Sequence, residues 1–307
     1  MTTQRRATGS SPGHLDPGAG LAEKVVLLPD GRRLRTITAG EGDGPLVVFE
    51  AGMSAPAASW VHTQREIGAH HRTVSYDRAG YGGSDPDPQD RTLERIVDDL
   101  TALLDGLGEE QPVVLVGHSW GGPIIRLFGE RHPQRVAGLV FVDATLAEIM
   151  SDGDGRVLAW SFRAVALLAR LGRRNLIRKL TLPHLSPSIS ASDVDILVRD
   201  YANARAMRAG CQEAAQVAPA LRTMRRLQAA GTPDVPTVCL QAGRIDRGRA
   251  KAKGRLLFNR VATELMAAAP DGRVVVVEGA GHLIPQEDPA AVREAVLEVV
   301  AAAGARR

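Results

Sequence analysis

Several features that define large classes of protein are missing from this chain of 307 residues. No apolar run approaches the roughly 18 residues of a membrane-spanning helix, so no integral membrane segment is expected. The only cysteines, Cys211 and Cys239, are too few for a disulfide framework, and Cys239 falls in a predicted buried strand. With 38 basic and 35 acidic side chains, the net charge of +3 is too small to indicate a nucleic-acid partner.

Motifs for bound groups are absent as well. No cluster of His, Cys, Asp and Glu has metal-ligand spacing, and no glycine-rich nucleotide motif follows a strand, so neither a metal nor a cofactor is expected. Residues 1–22 lack the apolar centre of a secretory signal, which predicts a disordered tail and a cytoplasmic protein. The apolar content of 44% is enough for one large domain with an insertion.

The strongest positive signal is the pentapeptide Gly117-His118-Ser119-Trp120-Gly121. It follows the apolar run 113–116, which is typical of a strand buried on both faces, and it precedes a helical pattern with Pro123 in its first turn. Small residues two before and two after a serine allow a sharp strand-to-helix turn that exposes the hydroxyl. The spacing therefore predicts a nucleophilic Ser119.

Strand and helix patterns alternate along most of the chain, which favours an α/β fold with a mainly parallel sheet covered by helices on both faces. Pro29-Asp30-Gly31 separates the first two strands and predicts an antiparallel edge. The predicted strands are 24–28, 33–39, 46–50, 72–76, 113–117, 137–142, 236–241 and 273–278. The predicted helices are 58–69, 92–106, 122–132, 257–268 and 289–302.

A serine nucleophile needs a histidine base and an acid, and both are expected just beyond strand ends, in the order Ser, Asp, His. Asp246 follows the strand 236–241, and His282 follows the strand 273–278 and a glycine-rich turn. Asp143 follows the strand 137–142 and is the alternative acid. His118 adjoins Ser119 but points away from it on a sharp turn, so it is interpreted as a packing or hydrogen-bonding residue.

On these motifs the chain resembles the α/β-hydrolase family over almost its whole length, apart from the first twenty-odd residues and the middle segment. The resemblance implies an eight-stranded sheet and a catalytic triad of Ser119, Asp246 and His282. It also implies an oxyanion hole made by the backbone N–H groups of Met53 and Trp120. Ala51 departs from the pattern, because many relatives carry there a histidine that braces this loop.

The resemblance also implies a helical cap, inserted after the sixth strand, over residues 147–231, with the core domain formed by 23–146 and 232–307. No acidic residue occurs from Arg156 to Ser192, and apolar and basic side chains recur there at helical spacing. Three interpretations are open: a hydrophobic roof for a lipophilic substrate, a patch that touches anionic membrane, or a helix whose apolar face packs on the core.

The predicted function is that of a serine hydrolase cleaving a carboxylic ester or related acyl bond of a small lipophilic molecule. Serine argues against haloalkane dehalogenases and epoxide hydrolases, because their alkyl-enzyme intermediate needs a carboxylate. Perhydrolase or haloperoxidase-like, lactonase, carbon–carbon hydrolase and aminopeptidase activities remain alternatives. A non-catalytic small-molecule binding protein is the alternative of another class. No oligomeric state is predicted.

Overall fold

Eight strands form one sheet in the computed structural model, which describes residues 20–245 and 248–306. The strand order is β1-β2-β4-β3-β5-β6-β7-β8. The pairs β1–β2 and β2–β4 are antiparallel, and the other neighbouring pairs are parallel. The strands are β1 (Leu21–Leu27), β2 (Arg33–Ala39), β3 (Val47–Glu50), β4 (Thr73–Tyr76), β5 (Val113–His118), β6 (Val136–Val142), β7 (Thr237–Ala242) and β8 (Gly272–Val277).

Helices cover both faces of this sheet. The helices of the regular alternation are α1 (Val61–Ile67), α2 (Leu93–Gly106), α3 (Gly121–Arg131), α9 (Arg249–Ala267), α10 (Ile284–Glu287) and α11 (Pro289–Ala305). Apolar side chains of α2 and α3 pack with Leu115 of β5, whereas those of α11 pack with Val114 and Val116. Neighbouring residues of a strand point to opposite faces, so a strand covered twice must be apolar throughout.

The predicted α/β fold with its antiparallel edge is therefore confirmed, with shifts at element ends. β1 begins at Leu21, inside the segment 1–22 assigned to the tail, and residues 1–19 of that segment lie outside the described residues. Helix α9 begins at Arg249 instead of 257. Its first residues, including Lys251, Lys253 and Gly254, carry too few apolar side chains to show a helical period.

Between β6 and β7 the chain forms five helices in succession. They are α4 (Asp154–Arg170), α5 (Arg174–Thr181), α6 (Ala191–Tyr201), α7 (Ala204–Ala215) and α8 (Val217–Ala230). Helices α4 and α7 pack against each other through Ala159, Phe162 and Met207. The insertion is thus helical, as the sequence predicts, and it follows the sixth strand.

Candidate active site

Ser119 lies on a sharp turn between β5 and α3. Its φ of 51° is in the left-handed region, which a non-glycine residue adopts only when its surroundings hold it there. The Ser119 N–H donates to the carbonyl of Val142 (3.1 Å), at the end of the adjacent strand β6, and its own carbonyl accepts from Gly122 and Thr145 (3.0 and 2.9 Å). These bonds fix the turn and direct the hydroxyl away from the backbone.

The small residues around Ser119 are required by close backbone contacts. A methyl group on Gly117 would lie 2.7 Å from the carbonyl oxygen of Gly121, and one on Gly121 would lie 2.4 Å from that of Glu50. Both separations are far below van der Waals contact. The G-x-S-x-G spacing is therefore explained by tertiary packing as well as by the turn.

His282 faces Ser119 from the loop after β8. Its Nε2 lies 3.0 Å from Ser119 Oγ, and its Nδ1 lies 2.7 Å from Asp143 Oδ2. A carboxylate only accepts hydrogen bonds, so Nδ1 carries the proton and Nε2 of the neutral ring is free to accept from the serine hydroxyl. Ser119, His282 and Asp143 thus form a continuous hydrogen-bonded series, which is the arrangement that activates a serine.

The carboxylate that contacts His282 belongs to a different residue from the one chosen from the sequence. Asp143, the alternative acid, occupies the contact with Nδ1 for which Asp246 was chosen, and Asp246 itself lies outside the described residues. Asp143 directly follows β6, and β6 pairs with the strand that carries Ser119. That adjacency brings its carboxylate to the same edge of the sheet as the serine.

Asp143 is fully buried and fully hydrogen-bonded. Besides His282, it accepts from both terminal nitrogens of Arg255 (2.6 and 3.0 Å) and from the Ala242 N–H (3.1 Å). Burial raises the pKa of Asp143, but the hydrogen bonds and positive charge of His282 and Arg255 outweigh it and lower that pKa to about 2. The carboxylate is therefore ionised at neutral pH. The backbone of Asp143, with φ of 43°, is strained like that of Ser119.

His118 supports the histidine loop, and within the described residues no hydrogen bond joins it to Ser119 Oγ. Its Nε2 donates to the carbonyl of His282 (2.9 Å), and the two imidazole rings lie 4.9 Å apart. Burial, with a smaller contribution from His282, lowers the pKa of His118 to about 3, so the ring is neutral at neutral pH. The interpretation of His118 as a hydrogen-bonding residue is confirmed.

The loop after β3 approaches Ser119 from the other side. A methyl group on Gly52 would lie 3.3 Å from Ser119 Cβ and 3.1 Å from His118 Nδ1. Among the described residues, no partner accepts the backbone N–H of Met53 or of Trp120. These are the two donors expected from the sequence. Ser54, the residue after Met53, has φ of 60°, and its N–H donates to the Tyr81 hydroxyl (2.9 Å).

Arg78 braces this loop in the absence of a histidine at position 51. Its guanidinium donates to the carbonyls of Ala51 (2.6 Å) and Gly52 (2.9 Å), directly before Met53. Arg78 is 1% exposed, so these bonds are shielded from water. The doubt that Ala51 raised about the loop is therefore answered by a residue from the turn after β4.

Two buried carboxylates neutralise Arg78. Glu50 Oε1 lies 2.5 Å from Nη1, and Glu213 accepts from Nε and Nη2, both at 2.8 Å. Glu213 belongs to α7, so this cluster of Glu50, Arg78 and Glu213 joins the inserted helices to the loop before Met53. Burial raises the pKa of Glu50 against the opposing charge of Arg78, and the Tyr76 hydroxyl donates to its second oxygen.

An apolar pocket opens next to His118, with a volume of about 90 Å³. Trp60, His118 and Leu283 line it from the sheet side, and Leu182, Val198 and Tyr201 line it from α5 to α6 and the residues between them. The pocket can therefore enclose an apolar group beside His118, the residue before Ser119. Its composition suits a lipophilic group better than a charged one.

The structure brings Ser119 and His282 together at one site, and three residues that the sequence did not indicate hold that site. Arg255 was missed because its helix began outside the predicted range. Glu213 and Arg78 lie 135 positions apart, so no local motif pairs them. Charged residues are almost never fully buried unless they are paired, so the burial of Arg78 indicates that it has partners. That burial is visible only in the structure.

Comparisons with known proteins agree with this architecture. Residues 47–295 match the model of the alpha/beta hydrolase family. Epoxide hydrolase 4 of Mus musculus is 32% identical over 167 residues, which cover 53% of this chain and 46% of that protein. The chain thus spans less than half the length of this curated relative.

Two solved structures show the same fold. Epoxide hydrolase VrEH1 from Vigna radiata superposes with a TM-score of 0.72 at 19% identity, covering 92% of this chain and 98% of that one. A thermophilic esterase from Thermogutta terrifontis superposes with a TM-score of 0.66 at 23% identity, covering 92% and 99%.

Proposed function

Because the chain belongs to the alpha/beta hydrolase family, we propose that this hydrolase cleaves a carboxylic ester or related acyl bond of a small lipophilic molecule through an acyl-enzyme on Ser119. One observation carries the proposal: the hydrogen-bonded series from Ser119 Oγ through His282 to Asp143, with separations of 3.0 and 2.7 Å. Serine proteases and esterases on unrelated folds use the same constellation.

In the first half-reaction, Ser119 Oγ attacks the acyl carbon while Nε2 of His282 takes the hydroxyl proton. The carbonyl oxygen becomes an oxyanion, which the N–H groups of Met53 and Trp120 would stabilise. Collapse expels the alcohol, which receives the proton from His282. Water then attacks the acyl carbon of the acyl-enzyme while His282 takes its proton, and collapse releases the acid and returns the proton to Ser119 Oγ. Asp143 holds the Nδ1 proton and stabilises the imidazolium in both halves.

We assign helices α4 to α8 as a cap over the site. This assignment is supported by the pocket, which Thr181, Leu182 and Val198 enclose from one side, opposite Trp60 and His118. Apolar walls would bind a lipophilic acyl or alcohol group by removing its surface from water. The cluster of Glu50, Arg78 and Glu213 anchors the cap next to the loop of Met53.

Epoxide hydrolysis is the second candidate, since Epoxide hydrolase 4 of Mus musculus resembles this chain. The nucleophile disfavours it. Attack of a carboxylate on an epoxide carbon produces an ester that water can cleave, whereas attack of Ser119 would produce an ether. An ether has no acyl carbon for a second attack, so the enzyme would be alkylated after one turnover.

The test compares p-nitrophenyl esters of increasing acyl length with styrene oxide, using the wild type and Ser119→Ala. We expect ester hydrolysis that rises beyond acetyl and falls at least about a thousandfold in Ser119→Ala. We expect no sustained turnover of styrene oxide. Turnover of the epoxide that survives in Ser119→Ala, or the absence of ester hydrolysis in the wild type, would contradict the proposal, and the latter would favour a binding protein.

A further inference from the structure

One face of helix α4 is apolar and exposed. Val157, Trp160, Leu167 and Leu171 recur at spacings of three, seven and four residues, which align them along one side of a helix. Their exposed fractions are 64%, 69%, 58% and 63%. Water thus covers the face that a helix of this pattern ordinarily buries. These residues are called the α4 apolar face below.

Helix α5, which contacts α4, also carries exposed apolar side chains. Leu176 and Leu180 are 44% and 65% exposed, and Ile177 is the buried side chain of this short helix. Singly exposed apolar residues are common, but a contiguous row of them is typical of a binding surface.

Beyond Asp154 in the first turn of α4, the charges along the α4 apolar face have one sign. The cations of α4, α5 and the turn between them are Arg156, Arg163, Arg170, Arg173, Arg174, Arg178 and Lys179. None of them forms an ion pair within the described part of the chain, and no acidic residue lies between Arg156 and Ser192. Elsewhere most arginines pair with carboxylates, so this surface is left positive and unneutralised.

We propose that the α4 apolar face and its surrounding cations dock on the surface of an anionic lipid bilayer. An amphipathic helix with Trp and Leu on one side and Arg or Lys around it binds at the headgroup level, by apolar burial plus attraction to anionic lipids. A second copy of this chain fits the surface less well, because the same cations would face each other across the interface. None of the helices in the described residues is long and apolar enough to span a membrane.

The surface leads toward the pocket beside His118. Thr181 ends α5, and with the following Leu182 it lines that pocket, so α5 connects the docked surface with the candidate active site. A lipophilic molecule that partitions into the bilayer would thus meet the pocket from the membrane side. The docking itself does not require Ser119, and it goes beyond the proposed function.

The test measures binding to vesicles of phosphatidylcholine and to mixed vesicles with phosphatidylglycerol, by sedimentation and by tryptophan fluorescence. Trp60 and Trp120 are buried, so a blue shift on binding would come from Trp160. We expect binding to the mixed vesicles and little to phosphatidylcholine alone. Ser119→Ala should bind like the wild type, which separates this test from that of the proposed function.

Two variants and a matched control locate the contact. Replacing Arg163, Arg170 and Arg174 by Gln should weaken binding about a hundredfold, at about fivefold per cation. The double variant Trp160→Ser with Leu167→Ser should weaken it at least about tenfold. The control replaces three cations elsewhere, which are Arg33, Arg131 and Arg273, by Gln, with the same change in net charge and with binding expected within about threefold of wild type.

Three outcomes would overturn the proposal. The first is the absence of binding to the mixed vesicles. The second is equal loss in the patch variant and in its control, which would show attraction by net charge alone. The third is self-association without lipid, detected by light scattering and abolished by the double variant, which would make the α4 apolar face a contact between copies.

Discussion

The sheet edge around Ser119 and the surface of α4 and α5 are built in opposite ways. At the sheet edge the backbone is strained: Ser54, Ser119 and Asp143 are the non-glycine residues with positive φ in the described chain, and all lie at the candidate site. Charged groups there are buried and paired. On α4 and α5 the backbone is regular, the side chains of the α4 apolar face are exposed, and the surrounding cations form no ion pair within the described residues.

This difference indicates that the sheet edge is suited to chemistry and the surface of α4 and α5 to binding. Strained turns persist only when surrounding contacts over-determine them, so the sheet edge is rigid and preorganised for chemistry. The α4 apolar face and the cations around it are available to bind a partner instead, because the fold neither buries that face nor pairs those cations within the described residues. Substitutions should therefore have large effects in the first region and small effects on stability in the second.

The largest effect is expected from Asp143→Asn compared with Asp246→Asn. Loss of the carboxylate removes the acceptor that fixes the His282 tautomer, so kcat for a p-nitrophenyl ester should fall about ten-thousandfold. Asp246→Asn should change kcat less than about threefold, because Asp143 already accepts from Nδ1. The two rates are compared after circular dichroism shows both variants folded. A large loss in Asp246→Asn alone would reverse the assignment.

A smaller effect is expected on stability from Glu213→Gln. The change removes one of the two carboxylates that pair with buried Arg78. The free energy of unfolding should fall by about 3 kcal/mol. This is the lower end of the range for breaking a buried ion pair, because Glu50 remains as a partner. Urea denaturation measures it. The control Asp98→Asn breaks an exposed pair with Arg131 and should cost at most about 1 kcal/mol. Equal losses would remove the distinction between buried and surface pairs.

The pH dependence of stability isolates His118. Its pKa falls from 6.5 to about 3 on folding, so between these values the unfolded chain binds a proton that the folded protein does not. Stability then falls as the pH falls, by about 2 kcal/mol between pH 6.5 and 4.5. His118→Gln should lack this part of the loss, while His70→Gln at an exposed position should retain it. Parallel curves for wild type and His118→Gln would contradict the buried neutral imidazole.

The smallest effect is expected on α4, where two neighbouring aromatic residues differ in burial. Trp160→Ala should change the free energy of unfolding by less than about 0.5 kcal/mol, because the side chain is exposed. Phe162→Ala, two residues along the same helix, should cost about 3 to 5 kcal/mol through the cavity it leaves. Chemical denaturation of both variants measures the contrast, and a cost for Trp160→Ala near that of Phe162→Ala would show that its face is packed.

Local patterns were sufficient for most of the fold and for two residues of the site. Apolar strands and the glycine spacing predicted the sheet, the turn at Ser119 and the loop of His282, because these depend on neighbours in sequence. Asp143 and Asp246 each follow a strand, and sequence alone does not decide between them. The pairing of β6 with β5 and the reach of Arg255 place Asp143 against His282.

The partners of Arg78 and the exposure of α4 could not be predicted for a related reason. Glu213 reaches Arg78 across 135 positions of sequence, so only the packing of α7 on the loop after β3 reveals the pair. The period of α4 shows that one face is apolar, but whether that face is covered depends on which neighbouring helices turn toward it.

The most direct test of the account is to label the protein with a fluorophosphonate and locate the adduct by peptide mass spectrometry. If His282 and Asp143 activate Ser119, the wild type should carry one adduct on the peptide with Ser119, Ser119→Ala should carry none, and Asp143→Asn should react far more slowly. An adduct on another residue, or labelling of the wild type no faster than of Asp143→Asn, would contradict it.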